Sequence, residues 1–190
     1  MYTYDDMYRE EYSKGKALLW GREPDDYVVW IGNYLEEMGF MQARILDVGC
    51  GEGRHCIYLA KRGFVTYGVD IASLPIEKGR KWAEEEGLSG LVDLRVGDAT
   101  RLPYEGGFFD AVIDIYTIQF IRERGSYVRE VARALKPNGL FFIRTNRPPA
   151  KHSVNEEELG KMLKESFEIL QIESSVNSTV LKVMAKRKEI

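Results

Sequence analysis

The sequence predicts an α/β chain: a mostly parallel sheet of seven strands with helices on both faces and an antiparallel hairpin at its C-terminal end. Three observations carry this. Short apolar runs alternate with helical segments from Arg44 onward, and such alternation implies parallel strands joined by right-handed crossovers. The run Ala111–Ile115 is nearly all apolar, as a strand covered on both faces should be. The last two runs, Glu168–Ser174 and Thr179–Lys186, are joined by Val176-Asn177-Ser178 with no helix between them, so they pair antiparallel.

The elements follow in order. Residues 1–43 read as mainly helical, broken around Gly21-Arg22-Glu23-Pro24. Asp25 or Asp26 caps a helix from Tyr27 to Met38, and Gly39 ends it. Strand Arg44–Val48 leads through a glycine-rich turn into a helix over Arg54–Arg62, stopped by Gly63. Strand Phe64–Val69, a helix over Pro75–Glu86 and strand Val92–Val96 come next. After Ala111–Ile115, a helix over Ser126–Leu135, strand Leu140–Thr145 and a helix over Glu156–Lys164 complete the alternation. No repeat or linker interrupts it. A length of 190 residues suits a single domain, with 1–43 as an N-terminal helical lid segment and 44–190 as the core.

Composition narrows the function. There is no run of eighteen apolar residues, so no transmembrane helix is expected. The opening Met1-Tyr2-Thr3-Tyr4-Asp5-Asp6 is acidic and polar, unlike a secretion signal. The two cysteines, Cys50 and Cys56, fall in one turn-helix segment, which fits a reducing, cytoplasmic setting better than a disulfide framework. A net charge of −3, with no dense basic block beyond Lys186-Arg187-Lys188, argues against a nucleic-acid partner.

The chemistry concentrates in Ile45-Leu46-Asp47-Val48-Gly49-Cys50-Gly51-Glu52-Gly53 and in Asp70, which closes the next apolar run. Glycine at alternate positions allows a tight turn and lets a ligand lie against bare main chain. A carboxylate ending the second strand can accept hydrogen bonds from both hydroxyls of a ribose. An adenosine-type cofactor at the carboxyl edge of the sheet is expected. The dinucleotide fingerprint G-x-G-x-x-G is not met, because its third glycine position holds Arg54. A nicotinamide dehydrogenase would also need a second, substrate-binding domain, for which too little chain remains.

Asp-x-Gly-x-Gly-x-Gly instead resembles the first motif of the class I S-adenosylmethionine-dependent methyltransferases. Gly97-Asp98-Ala99, Leu102-Pro103-Tyr104 and Phe109-Asp110-Ala111-Val112 resemble that superfamily's third- and fourth-strand signature. Leu135-Lys136-Pro137-Asn138-Gly139 resembles its turn into strand five. The resemblance runs from Arg44 to Lys186 and implies a Rossmann-like fold with S-adenosyl-L-methionine as cofactor. Trp20-Gly21-Arg22-Glu23-Pro24, and Gly51-Glu52-Gly53-Arg54 through Tyr58-Leu59-Ala60, are similar to the small-molecule methyltransferases of the tellurite- and thiopurine-resistance kinds.

The resemblance assigns roles. Asp47 helps hold the amino-acid end of the cofactor, and Gly49, Cys50, Gly51 and Gly53 form the turn against which it lies. Asp70 takes the ribose hydroxyls and Ile71 packs on adenine. Asp98 accepts from the adenine amine and Ala99 offers a backbone donor. Asp114 and Ile115 line the cofactor, with Tyr116 nearer the acceptor and a weak candidate for catalytic base. Cys50, His55 and Cys56 lack a second ligand pair and are not read as a metal site. His152 reads as an exposed loop histidine. Six of the eleven tyrosines and two of the three tryptophans fall in the first 34 residues. Tyr8, Tyr12 and Trp20 are expected to wall a compact acceptor pocket, favouring a small-molecule acceptor. A protein or RNA methyltransferase, or a non-catalytic cofactor-binding module or regulatory subunit, is the alternative.

Overall fold

The structure, a computed structural model, describes residues 3–174 and 178–189. The chain packs as two units, residues 1–98 and 99–190.

In the first unit α1 (Tyr4–Ser13) starts at a Thr3–Asp6 capping box, which satisfies otherwise orphaned N–H groups. An irregular stretch follows, and then Asp25 caps α2 (Asp26–Glu37) by accepting from the Tyr27 amide. The buried residues Tyr27, Val28, Ile31 and Leu35 recur at helical spacing, giving α2 one apolar face toward the core. The strands are β1 (Arg44–Val48), β2 (Val65–Asp70) and β3 (Val92–Val96), with α3 (Arg54–Lys61) and α4 (Ser73–Glu85) between them. β1 pairs with β2 and β2 with β3, all parallel. Past Arg44, every residue of β1 is buried.

The second unit holds β4 (Phe109–Ile115), a single 3-10 turn at Ile118–Phe120, α5 (Arg124–Ala134), β5 (Leu135–Asn146), α6 (Glu156–Lys164), β6 (Phe167–Glu173) and β7 (Val180–Arg187). β5 runs parallel to β4 and antiparallel to β7, which pairs antiparallel with β6. The seven strands form a mixed sheet in the order β3-β2-β1-β4-β5-β7-β6. The expected C-terminal hairpin is therefore present; Val176 and Asn177 of its turn lie outside the described residues.

Most strand and helix boundaries shift by one or two residues from the sequence reading, and the start of β5 shifts most. β5 begins at Leu135 rather than Leu140. Leu135 already pairs with Phe109, the ladder resumes at Ala111 with Leu140, and Asn138 takes a left-handed φ of 63° in between. The expected turn is thus a bulge within a longer strand. Among the described residues no helix is long and apolar enough to cross a membrane.

α4 seats on the glycine turn through Gly79. A Cβ there would lie 2.5 Å from the Glu52 carbonyl oxygen and 2.6 Å from Leu94 Cδ1. Gly79→Ala is expected to destabilise the protein by about 1–3 kcal/mol through overpacking against backbone. An unchanged urea midpoint followed by circular dichroism would contradict this packing.

Candidate functional site

β1 ends in a reversal that β2 holds in place. The amides of Gly49 and Cys50 both donate to the Val69 carbonyl, at 2.7 and 3.2 Å. Gly49, Gly51 and Gly53 take left-handed φ values of 72°, 54° and 74°, a region that favours glycine. Asp70 ties the turn to the start of α4: its Oδ2 accepts from the Gly51 amide and its Oδ1 from the Ala72 amide, both at 2.9 Å. A carboxylate oxygen can accept more than one hydrogen bond, so the group retains capacity for a ligand. Burial raises the Asp70 pKa, against the two amide bonds, which lower it.

Beneath the turn, Asp47 is only 2% exposed, and its Oδ2 lies 3.2 Å from His55 Nδ1 in the first turn of α3. This is less open to a crevice than the sequence suggested. His55 Nε2 is buried without a hydrogen-bond partner. Cys50 is also corrected: its side chain packs with Cys56, Ile76 and Leu94 in the core, so only its main chain can face a ligand. Burial pushes both thiols well above their usual pKa.

Beyond Asp70, Ile71 is 59% exposed and Val96 is 48% exposed. Val96 is in register with Asp70 on the neighbouring strand, so the two apolar side chains stand at adjacent strand ends beside the carboxylate. Ile71 was expected there; Val96 was missed, since in sequence it reads only as the end of a strand. Asp98 is exposed and Ala99 half-buried.

The N-terminal aromatics are brought to the same turn. A Cβ on Gly51 would lie 2.9 Å from the Tyr8 hydroxyl and 3.7 Å from Trp20 Cδ1. Trp20 Nε1 donates to the Tyr8 hydroxyl at 3.4 Å, while the indole remains 57% exposed. The Tyr12 hydroxyl donates to Glu52 Oε1 at 2.9 Å, and the Lys78 ammonium sits 3.5 Å from the Tyr12 ring centroid. Burial first, and then the Asp70 charge, hold the Tyr8 phenol above its ordinary pKa. Burial and then the Glu52 charge do the same for Tyr12. Both phenols therefore stay protonated at neutral pH and can act as donors.

In the second unit, Asp114 does not face a ligand. It is fully buried, and its carboxylate accepts from the Thr117 amide at 2.8 Å, the Ile118 amide at 3.0 Å and the Tyr127 hydroxyl at 2.7 Å. It holds the turn after β4, which corrects the expected cofactor-lining role. Ile115 and Tyr116 are partly exposed. Tyr116 has a left-handed φ of 65°, a conformation disfavoured for a bulky residue. Its hydroxyl accepts from Arg144 Nε at 2.8 Å. His152 is exposed and packs against Phe120, with ring centroids 5.0 Å apart.

Residues 46–143 match a family described as a methyltransferase domain. Norajmaline N-methyltransferase of Rauvolfia serpentina is 29% identical over 144 residues, covering 73% of this chain and 49% of that protein. A ubiquinone biosynthesis O-methyltransferase of Bartonella tribocorum is 33% identical over 108 residues, covering 57% of this chain and 43% of that protein. The chain thus spans less than half the length of these two relatives. The structure of magnesium protoporphyrin IX methyltransferase from Synechocystis PCC 6803, with bound SAH, superposes with a TM-score of 0.76 at 17% identity, covering 97% of this chain and 96% of that one. At that identity the likeness speaks to the fold.

Asp114→Asn removes an acceptor oxygen while the buried N–H and O–H donors remain. The expected cost is about 1–3 kcal/mol of stability, seen as a lowered thermal midpoint. A variant as stable as the parent but impaired in ligand binding would return Asp114 to the ligand.

Proposed function

The chain belongs to the methyltransferase domain family, and we propose that it transfers a methyl group from S-adenosylmethionine to a small-molecule acceptor. The observation that carries this reading is Asp70, whose two oxygens are each anchored by one backbone amide, Gly51 on the glycine turn and Ala72 before α4. Such a carboxylate is pre-oriented at a strand end, where a ribose can donate both hydroxyls to it.

The residues around it fit the cofactor. The left-handed glycines shape the turn that the cofactor would approach, with the Tyr8 hydroxyl packed over Gly51 and Leu94 against Gly53. Ile71 and Val96 offer an apolar shelf for a purine ring. His55 Nε2 is a buried ring nitrogen without a hydrogen-bond partner, on a ring whose Nδ1 lies against Asp47, which suits the charged amino-acid end. Asp98, the Ala99 amide and Ile115 remain the candidates for the adenine and the cofactor edge. Tyr8, Tyr12, Trp20 and Tyr116 are the candidates for the acceptor wall.

When bound, S-adenosylmethionine supplies a methyl group on a positively charged sulfur, activated toward a nucleophile. The protein's work is then chiefly alignment and exclusion of water, and alignment alone can lower a barrier by about 7–11 kcal/mol. Tyr116 already uses its hydroxyl as acceptor from Arg144, an ion-dipole contact that orients the ring as a wall. A small acceptor is favoured because aromatic side chains lie directly over the turn, and because the two relatives are named for norajmaline and ubiquinone biosynthesis. A cytoplasmic setting suits two buried cysteines that remain thiols.

A screen of small nucleophiles with methyl-labelled S-adenosylmethionine tests the activity; label transferred to a small acceptor is the expected result. Label appearing only in protein or RNA would contradict the small-molecule reading. Asp70→Ala is expected to weaken cofactor affinity at least about tenfold, since a hydrogen bond to a charged acceptor is worth ~1.5–3 kcal/mol. Asp98→Ala should cost less, losing one contact to a neutral amine. Since burial raises the Asp70 pKa, affinity in the parent should fall on acidification at a higher pH than an ordinary aspartate would give. Equal affinity of the parent and both variants would displace the nucleoside from this edge.

A further inference from the structure

Glu52 sits between two left-handed glycines of the turn, yet it is only 2% exposed. Its Oε1 accepts two hydrogen bonds from the N-terminal segment: from the Tyr12 hydroxyl at 2.9 Å and from the Leu19 amide at 2.6 Å. Burying a carboxylate is costly unless donors meet it, and bonds to an ionised acceptor are roughly twice as strong as neutral ones. The segment thus supplies donors that make the buried charge tolerable.

The same segment reaches the other wall of the proposed nucleoside site. Asp5 accepts from the Leu74 amide at 2.9 Å and from the Ser73 hydroxyl at 3.1 Å, at the start of an α4 whose own N-cap, Ala72, supplies no side-chain cap. Between these two anchors the Tyr8 hydroxyl lies over Gly51. Residues 5–19 therefore bridge the turn and the start of α4, the two places that Asp70 also joins.

We infer that Glu52 is a positioning residue that clamps the N-terminal segment onto the glycine turn, so that seating a nucleoside ligand there and docking the segment are one coupled step. The inference rests on reading the turn as the nucleoside site. A ligand that binds only the docked form shifts the equilibrium toward it. At 100 times its dissociation constant, such a ligand reduces the undocked population about 100-fold.

The segment carries its own reporters. Arg9, Lys14 and Lys16 have side chains that are 65%, 52% and 49% exposed, so trypsin can read undocking while mass spectrometry locates each cut. For the full-length parent, saturating S-adenosylhomocysteine is expected to slow cleavage after these residues at least tenfold. Without ligand, Tyr12→Phe and Glu52→Ala should be cut there at least several-fold faster than the parent, with Glu52→Gln intermediate because its amide oxygen still accepts. Ligand protection should shrink in the same order. General destabilisation would instead accelerate cleavage equally at Lys61 and Arg80 on α3 and α4, and that outcome would overturn the clamp. So would unchanged cleavage in Tyr12→Phe, a variant that keeps the ring and loses only the hydroxyl. Equal ligand protection in Glu52→Ala and the parent would also overturn it. If calorimetry detects no S-adenosylhomocysteine binding by the parent, the nucleoside reading fails and the coupling falls with it. The unliganded comparison then still reports on the Glu52 contact alone.

Discussion

The first unit depends on one backbone constraint, the reversal after β1 that takes left-handed conformations at Gly49, Gly51 and Gly53. Within the turn, the Gly53 amide donates to the Cys50 carbonyl at 2.9 Å. Asp70 and Val69 hold it from the neighbouring strand, the first by accepting from Gly51 and the second from Gly49 and Cys50. α4 can approach because Gly79 has no side chain, and α3 begins where Gly53 ends the turn. Removing any of these supports would change the shape of the main chain that a ligand would touch.

Carboxylates are the second theme: the buried Asp47, Glu52 and Asp114 and the half-buried Asp70 each meet specific partners. Asp47 meets His55, Asp70 meets two amides, and Glu52 meets a phenol and an amide. Asp114, in the second unit, meets two amides and the Tyr127 hydroxyl. Low-dielectric surroundings make an unmatched buried charge costly and a matched one geometrically specific. The four groups nevertheless differ in purpose. Asp114 is spent wholly on the turn after β4, whereas Asp70 uses one bond per oxygen and keeps acceptor capacity.

Much of this was legible in the sequence because it is encoded by neighbours. Alternating apolar and helical runs announced the sheet, and the spacing of glycines before Asp70 announced the turn. The unread parts depend on partners far along the chain. Glu52 looks like a filler between glycines until Tyr12, forty residues away, and Leu19, thirty-three away, are seen to donate to it. An aspartate inside an apolar strand has to be wetted or matched, and only the fold reveals that Tyr127 matches Asp114. Cys50 belongs to the turn by adjacency, but its side chain packs in the core with Cys56, Ile76 and Leu94. Lys136-Pro137-Asn138-Gly139 carries turn chemistry, and a bulge accommodates it without ending the strand.

Isothermal titration of the purified chain with S-adenosylhomocysteine and, separately, with NAD tests the central reading most directly. The glycine spacing, the anchored Asp70 and membership of the methyltransferase domain family predict saturable one-site binding of S-adenosylhomocysteine and none of NAD. Binding of NAD with no heat from S-adenosylhomocysteine would contradict it.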